Sequence, residues 1–212
     1  MIKNYKHIIW DWNGTLFNDV ELCVNIMNGL LRKRKINQLT VDDYKNIFTF
    51  PVSDYYAKVG FDFSVESFEK VGKEWMDEYE TRKSESNLHP GTRDVLEKIS
   101  KMGKGQSILS AYSQHTLVEI VEQYKLTPYF SHLVGLDHIY ATSKVELGLD
   151  LIRKLELKEE EAVLIGDTVH DYDVAKEIGA DCILIANGHQ CKNTLLKCGA
   201  TVLNDINEIF ID

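Results

Sequence analysis

At 212 residues the chain is long enough for one large domain, or one domain carrying an insert, and 44% hydrophobic residues supply a sizeable core. A formal net charge of −9 and a pI near 5.3 argue against nucleic acid or an anionic membrane as partner, since either requires a basic face. No stretch reaches the length of a membrane-spanning helix. The first ten residues hold His7 and two lysines rather than a secretory leader's apolar run. Cys23, Cys182, Cys191 and Cys198 contain no CxxC pair. Cys191 and Cys198, two helical turns apart, would sit about 10 Å from each other, too far for a disulfide. Reduced thiols in a cytoplasmic protein are therefore expected. The basic run Arg32-Lys33-Arg34-Lys35 reads as the solvated end of a helix.

In chain order, Ile8-Ile9-Trp10 reads as a buried strand ending at Asp11, followed by the loop Asn13-Gly14-Thr15. A helix is predicted from Asn18 or Asp19, with Val20, Cys23, Ile26, Met27, Leu30 and Leu31 at helical spacing. Thr40 with Asp43 predicts a capped second helix, and Ser53 starts a short third. Ser64 precedes a longer helix with Val65, Phe68, Val71, Trp75, Met76 and Tyr79 on one side. Residues 18 to 84 thus read as helical throughout, and Ser84–Asn87 as a linker. Strands and helices then alternate. Helices are predicted over 90–99, 116–124, 144–155, 171–178 and 194–197. Strands are predicted over 106–109, 133–136, 162–165, 182–186 and 201–203. That alternation predicts a parallel sheet covered on both faces, with the helical block inserted after the first strand.

Ligands of such sheets bind beyond the carboxyl ends of the strands. The polar residues there are Asp11 and Asn13, Ser110, Asp137 with His138, Gly166-Asp167, and Asn187. A carboxylate at Asp11 can attack phosphorus and form an acyl-phosphate; equally, an aspartate in a turn can cap a backbone group. Asp167 and Asp171, four residues apart, can face one cation, and Mg2+ accepts such oxygen ligands. Asp171 also fits a helix N-terminus without any metal. Ser110 with the backbone N–H groups that follow it, beginning at Ala111, can hold phosphate oxygens. Lys144, opening a helix, can offset the charge gathered by Asp11, Asp167 and a phosphate.

Ile8–Leu16, Ser107-Ile108-Leu109-Ser110, Lys144 and Gly166–Asp171, in this order, resemble the haloacid dehalogenase superfamily of phosphatases. Leu88-His89-Pro90-Gly91 resembles that family's return from cap to core. The likeness implies a Rossmann-like α/β parallel-sheet core, residues 1–17 and 86–212, with an inserted all-helical cap domain over 18–85. It implies Asp11 as nucleophile, with Mg2+ held by Asp11, the Asn13 backbone carbonyl and Asp167, and Asp171 as a further ligand or support. Thr15, Ser110, Ala111 and Lys144 would contact the phosphate, with Lys144 also steadying Asp11. A small phosphorylated metabolite, phosphoglycolate-like or a sugar phosphate, is the implied substrate, for a monomer or homodimer.

Two positions depart from the pattern. Asn13 stands where the family's phosphatases carry an aspartate that serves as general acid and base, a function worth about 10²–10⁴ in rate. Val145 stands where a proline commonly follows the lysine. Four readings of Asn13 compete: another acid nearby, with His115, His138, His170 and His189 as candidates; a slow enzyme or phosphate-binding regulator; an engineered change; or deamidation at Asn13-Gly14. The run Asp11–Thr15 also resembles phosphonoacetaldehyde hydrolase, whose imine-forming cap lysine would be Lys58 here. A dehalogenase proper, with a tyrosine at this position and no metal, is disfavoured by Asp167. Phe48, Phe50, Ser53, Tyr55, Tyr56 and Lys58 are candidates for lining the substrate pocket, against the alternative of packing within the cap.

Overall fold

The computed structural model describes residues 1–136 and 143–211. Asp137 and His138 lie outside the described residues.

The apolar run at the start forms β1 (His7–Trp10), buried at all four positions. It is flanked by β4 (Gly105–Ser113) and β6 (Ala162–Gly166), both parallel to it. The six-stranded sheet is completed by β5 (His132–Leu136), β7 (Asp181–Ile185) and β8 (Thr201–Leu203), in the order β5-β4-β1-β6-β7-β8. Every pairing in it is parallel. Burial on both faces explains the unbroken apolar runs. Helices α5 (Thr92–Lys101), α6 (Gln114–Gln123), α7 (Lys144–Lys154), α8 (Val169–Glu177) and the single turn α9 (Lys192–Leu195) make the crossovers. Successive strands build outward from β1 on one side through β4 and β5, then on the other through β6, β7 and β8. The order reverses beside β1, which is where a parallel sheet opens a crevice.

The helical block comprises α1 (Val20–Lys33), α2 (Val41–Ile47), α3 (Val52–Val59) and α4 (Phe68–Arg82). A short antiparallel ribbon closes its base: β2 (Phe17–Asn18) pairs with β3 (Asn87–Leu88). Two-residue strands carry no readable alternation, so the sequence pattern reads this ribbon as loop and linker. The capping box of Thr40 and Asp43 forms as expected.

The start of α4 differs from expectation. Ser64 bonds back to Asp62, and the cap is Ser67, which accepts from Lys70 N. Val65 therefore lies outside the helix and is 82% exposed, and Met76 also faces solvent. The basic run at the end of α1 is only partly solvated. Arg34 joins Glu66 at 2.6 Å and Glu74 at 2.7 Å, stapling α1 to α4. The four cysteines are free thiols. Among the described residues no helix is long and apolar enough to cross a membrane.

Candidate active site

Two carboxylates end adjacent strands. Trp10 pairs with Ile165 in register, and Asp11 N donates to Ile165 O at 2.9 Å. Asp11 therefore leaves β1 beside the point where Gly166 ends β6 and Asp167 follows. Asp11, Asp167 and Asp171 bring carboxylate oxygens within 4.8 Å of one another, all buried. Thr15 is fully buried and its hydroxyl donates to Asp167 at 2.9 Å, with Asp11 Oδ2 at 3.4 Å. Its hydroxyl thus lies between the two carboxylates. Gly14 and Gly188 let backbone pass close by: a Cβ on either would fall on the Asp167 carboxylate, and Gly14 has φ +76° as well.

Lys144, buried at the first position of α7, donates to Asp11 Oδ1 at 2.5 Å and to Asp171 Oδ1 at 2.6 Å. The other Asp171 oxygen accepts from Thr168 N at 3.0 Å and Thr168 Oγ1 at 2.7 Å, the capping box that starts α8. Both Asp171 oxygens are thus engaged, one with Lys144 and the other with the loop after β6. Lys144 pairs with two of the three buried carboxylates, and the imbalance shows. Burial, with repulsion from Asp171 and Asp167, outweighs Lys144 and pushes Asp11 up to about 7. Burial and Asp171 likewise push Asp167 up to about 6, against the pull of His189. Burial penalises Asp171 too, but Lys144 and Thr168 hold it below its usual value. A set of oxygen donors carrying excess negative charge suits a hard dication.

The side chain of Asn13 turns away from this cluster. Its Nδ2 donates to Asp19 Oδ2 at 2.8 Å and to Tyr79 Oη, on α4, at 2.7 Å. Asp19 is itself almost fully buried and gathers further donors: Gly14 N at 3.0 Å, Tyr79 Oη at 2.6 Å and His189 Nε2 at 3.2 Å. Burial would lower the His189 pKa, but the Asp19 carboxylate overrides it and raises it to about 9. His189 Nδ1 meets Tyr44 Oη at 2.8 Å, and its backbone N donates to Asp167 Oδ2 at 2.6 Å. The Asp19–His189 pair thus links the nucleophile loop, α4 and the loop after β7.

Of the other expected residues, Ser110 is buried within β4, in the irregular stretch between Leu109 and Ser113, and its hydroxyl accepts from Tyr112 N at 3.1 Å; Ala111 is exposed. His115 is exposed on α6, 3.7 Å from Glu119. His170 stacks on Phe50 at 4.6 Å. Tyr55 and Tyr56 are buried within the cap. Phe48 reaches out to the His189 ring at 5.4 Å. Ser53 is half-buried and Lys58 exposed, so Lys58 is not the desolvated amine that an imine-forming site requires. Asp19, Tyr79, Tyr44 and Gln190 escaped the sequence reading of the site. An acidic residue opening a helix is common, and the tyrosines sit in phase with apolar neighbours. One signal was present: Asp19, just before α1, lies four positions from Cys23, in phase with the apolar face of that helix.

A profile of the haloacid dehalogenase-like hydrolases matches residues 8–185, a span that includes both carboxylate strands, and the chain belongs to that family. The chain is similar to the phosphoglycolate phosphatase of Rhodobacter capsulatus, 22% identical over 187 residues, which cover 86% of this chain and 85% of that protein. The phosphoglycolate phosphatase of Vibrio parahaemolyticus is 24% identical over 197 residues, 88% of this chain and 86% of that one. Among solved structures, a haloacid dehalogenase-like family hydrolase from Streptococcus pneumoniae shares the fold at a TM-score of 0.84 and 19% identity, covering 99% of this chain and 98% of its own.

Proposed function

We propose that the chain is a magnesium-dependent phosphatase that hydrolyses a small phosphorylated metabolite through an aspartyl-phosphate on Asp11. The observation that carries this reading is the buried cluster of Asp11, Asp167 and Asp171 with Lys144 at 2.5 Å from the nucleophile. Lys144 holds Asp11 Oδ1 and leaves Oδ2 for attack. That oxygen forms a bond to phosphorus as the ester P–O bond breaks, and the departing alkoxide takes a proton from water to leave as the alcohol. Water then attacks the phosphorus, releases phosphate and restores Asp11. Asp11, Asp167 and the Asn13 carbonyl would hold magnesium, with Asp171 supporting through Lys144 and the backbone. When bound, the metal supplies neutralisation and orientation of the phosphoryl oxygens. The Ser110 hydroxyl and neighbouring backbone N–H groups are assigned to the phosphate.

The helices over 18–85 are assigned as a cap that opens about the β2–β3 ribbon, because Asp11 is only 7% exposed and Asp167 1%. The relatives point to phosphoglycolate or a similarly small ester as the first substrates to try, and four free thiols suit the cytoplasm. A second reading, a slow or phosphate-binding regulatory protein, is favoured by one observation: an amide committed to Asp19 and Tyr79 stands where a carboxylate would move protons.

One experiment tests both readings. Protein is incubated with Mg2+ and an aryl phosphate, beside Asp11→Asn. Metal-dependent turnover that Asp11→Asn abolishes is expected. Equal rates in the two proteins reject the enzyme reading. A phosphorylated Asp11 that accumulates without turnover selects the regulatory one.

A further inference from the structure

A second cluster of metal-ligating side chains lies beside the carboxylate site and shares none of its residues. Asp19 precedes α1, Cys23 sits one turn into that helix, and His189 follows β7. Their ligand atoms all lie within 4.8 Å of one another and all three residues are buried. His189 Nε2 stands 3.2 Å from Asp19 Oδ1, and Cys23 Sγ stands 3.7 Å from Asp19 Oδ2. We propose that Asp19, Cys23 and His189 form a binding site for a thiophilic dication of the Zn2+ type, distinct from the hard-cation site at Asp11 and Asp167.

The ligand atoms all lie within 4.8 Å of one another, with His189 and Cys23 approaching opposite oxygens of Asp19, so short side-chain shifts bring all three onto one small ion. Bonds of about 2.0 Å to oxygen and nitrogen and about 2.3 Å to sulfur, set tetrahedrally, place N and O about 3.3 Å apart and S and O about 3.5 Å apart. The donor set, a thiolate, an imidazole and a carboxylate, is soft enough to reject Mg2+ and suits Zn2+. The three groups are now joined by two hydrogens, on His189 Nε2 and Cys23 Sγ, both directed at Asp19. The supporting contacts are already in place. Tyr44 Oη meets the other His189 nitrogen at 2.8 Å and fixes the ring. Gly14 N and Tyr79 Oη hold the Asp19 carboxylate. Tyr79 and Tyr44 come from the cap, so an ion here would bind cap and core together.

The test uses the full chain, stripped of metal and kept in excess Mg2+, titrated with Co2+ as a coloured probe of thiolate ligation. One equivalent is expected to produce a thiolate-to-cobalt charge-transfer band, displaced by Zn2+. Asp11→Asn should give the same band although it abolishes turnover, so failure of this site and failure of the phosphatase reading are distinguishable. Cys23→Ser should lose the band while keeping its circular dichroism. His189→Gln, which retains the thiol, should bind at least about tenfold more weakly, and Tyr44→Phe about tenfold. Absence of the band in the unmutated protein, or its persistence in Cys23→Ser, overturns the proposal. If Cys23→Ser does not fold, unaltered affinity in His189→Gln overturns it.

Discussion

Asn13 Nδ2 lies 2.8 Å from Asp19 Oδ2, so the amide that replaces the family's usual carboxylate donates a hydrogen bond that a carboxylate could not. The substitution and its partner fit as a pair. Restoring an aspartate at 13 would set a half-buried carboxylate against the buried one of Asp19.

Asn13→Asp is therefore expected to destabilise the protein, by about 1–3 kcal/mol, through a lost donor and a like charge. The cost should shrink as pH falls and one proton comes to be shared by the two groups. Denaturant melts at pH 7 and pH 5 measure both effects. An unchanged midpoint with faster turnover would show that the new side chain swings clear of Asp19.

The same contacts bear on deamidation. Ring closure at Asn13 needs Gly14 N as the attacking atom, yet that N–H is engaged by Phe17 O at 2.8 Å and Asp19 Oδ1 at 3.0 Å. Native protein should show no mass gain at Asn13 on ageing, whereas protein held in denaturant should. Equal gain in both contradicts this.

Lys144 is the cation shared by Asp11 and Asp171. Lys144→Met should cost about 3–5 kcal/mol in metal-free buffer, the usual penalty for orphaning buried charges. Added Mg2+ should recover part of that loss by binding the folded state. Melting curves with and without Mg2+ decide, and a variant as stable as the parent would mean the carboxylates are protonated instead.

Gln190 latches cap to core. Its Oε1 accepts from Val169 N at 2.7 Å, and its Nε2 donates to Phe48 O at 3.0 Å, in the segment joining α2 to α3. Gln190→Ala should raise hydrogen exchange over residues 44–52 while lowering global stability by only about 1–2 kcal/mol. Unaltered exchange there would mean that the aromatic contacts of Phe48 and Phe50 suffice.

His7 is buried at the start of β1 beside the Ser107 hydroxyl, 2.8 Å away. Burial, reinforced by His132, lowers its pKa to about 4. The unfolded chain takes up this proton near pH 6.5 and the folded chain only near pH 4. Stability should thus fall as pH drops through that window, by up to about 3 kcal/mol from this residue, and be constant above it. In His7→Gln the drop should be smaller by that amount. Parallel acid melts of the two proteins test it.

How much of this was readable in advance differs by kind of contact. The alternation of apolar strands and amphipathic helices, and the carboxylates after β1 and β6, are local patterns with a period, and the sequence by itself determined them. Lys144, one position into its helix, was legible once the carboxylates called for a counter-charge. The partners of Asn13 were not. Asp19 and His189 are 170 positions apart in the chain, and Tyr79 sits in phase with an apolar face. Their meeting depends on the cap lying down over the core, and hydrogen bonds between distant side chains leave no periodic trace. Nor could the sequence show that both oxygens of Asp171 are already engaged, or that the short β2–β3 ribbon closes the base of the insert. Local periodicity set the sheet and the place of Asp11; only tertiary packing decided what surrounds it.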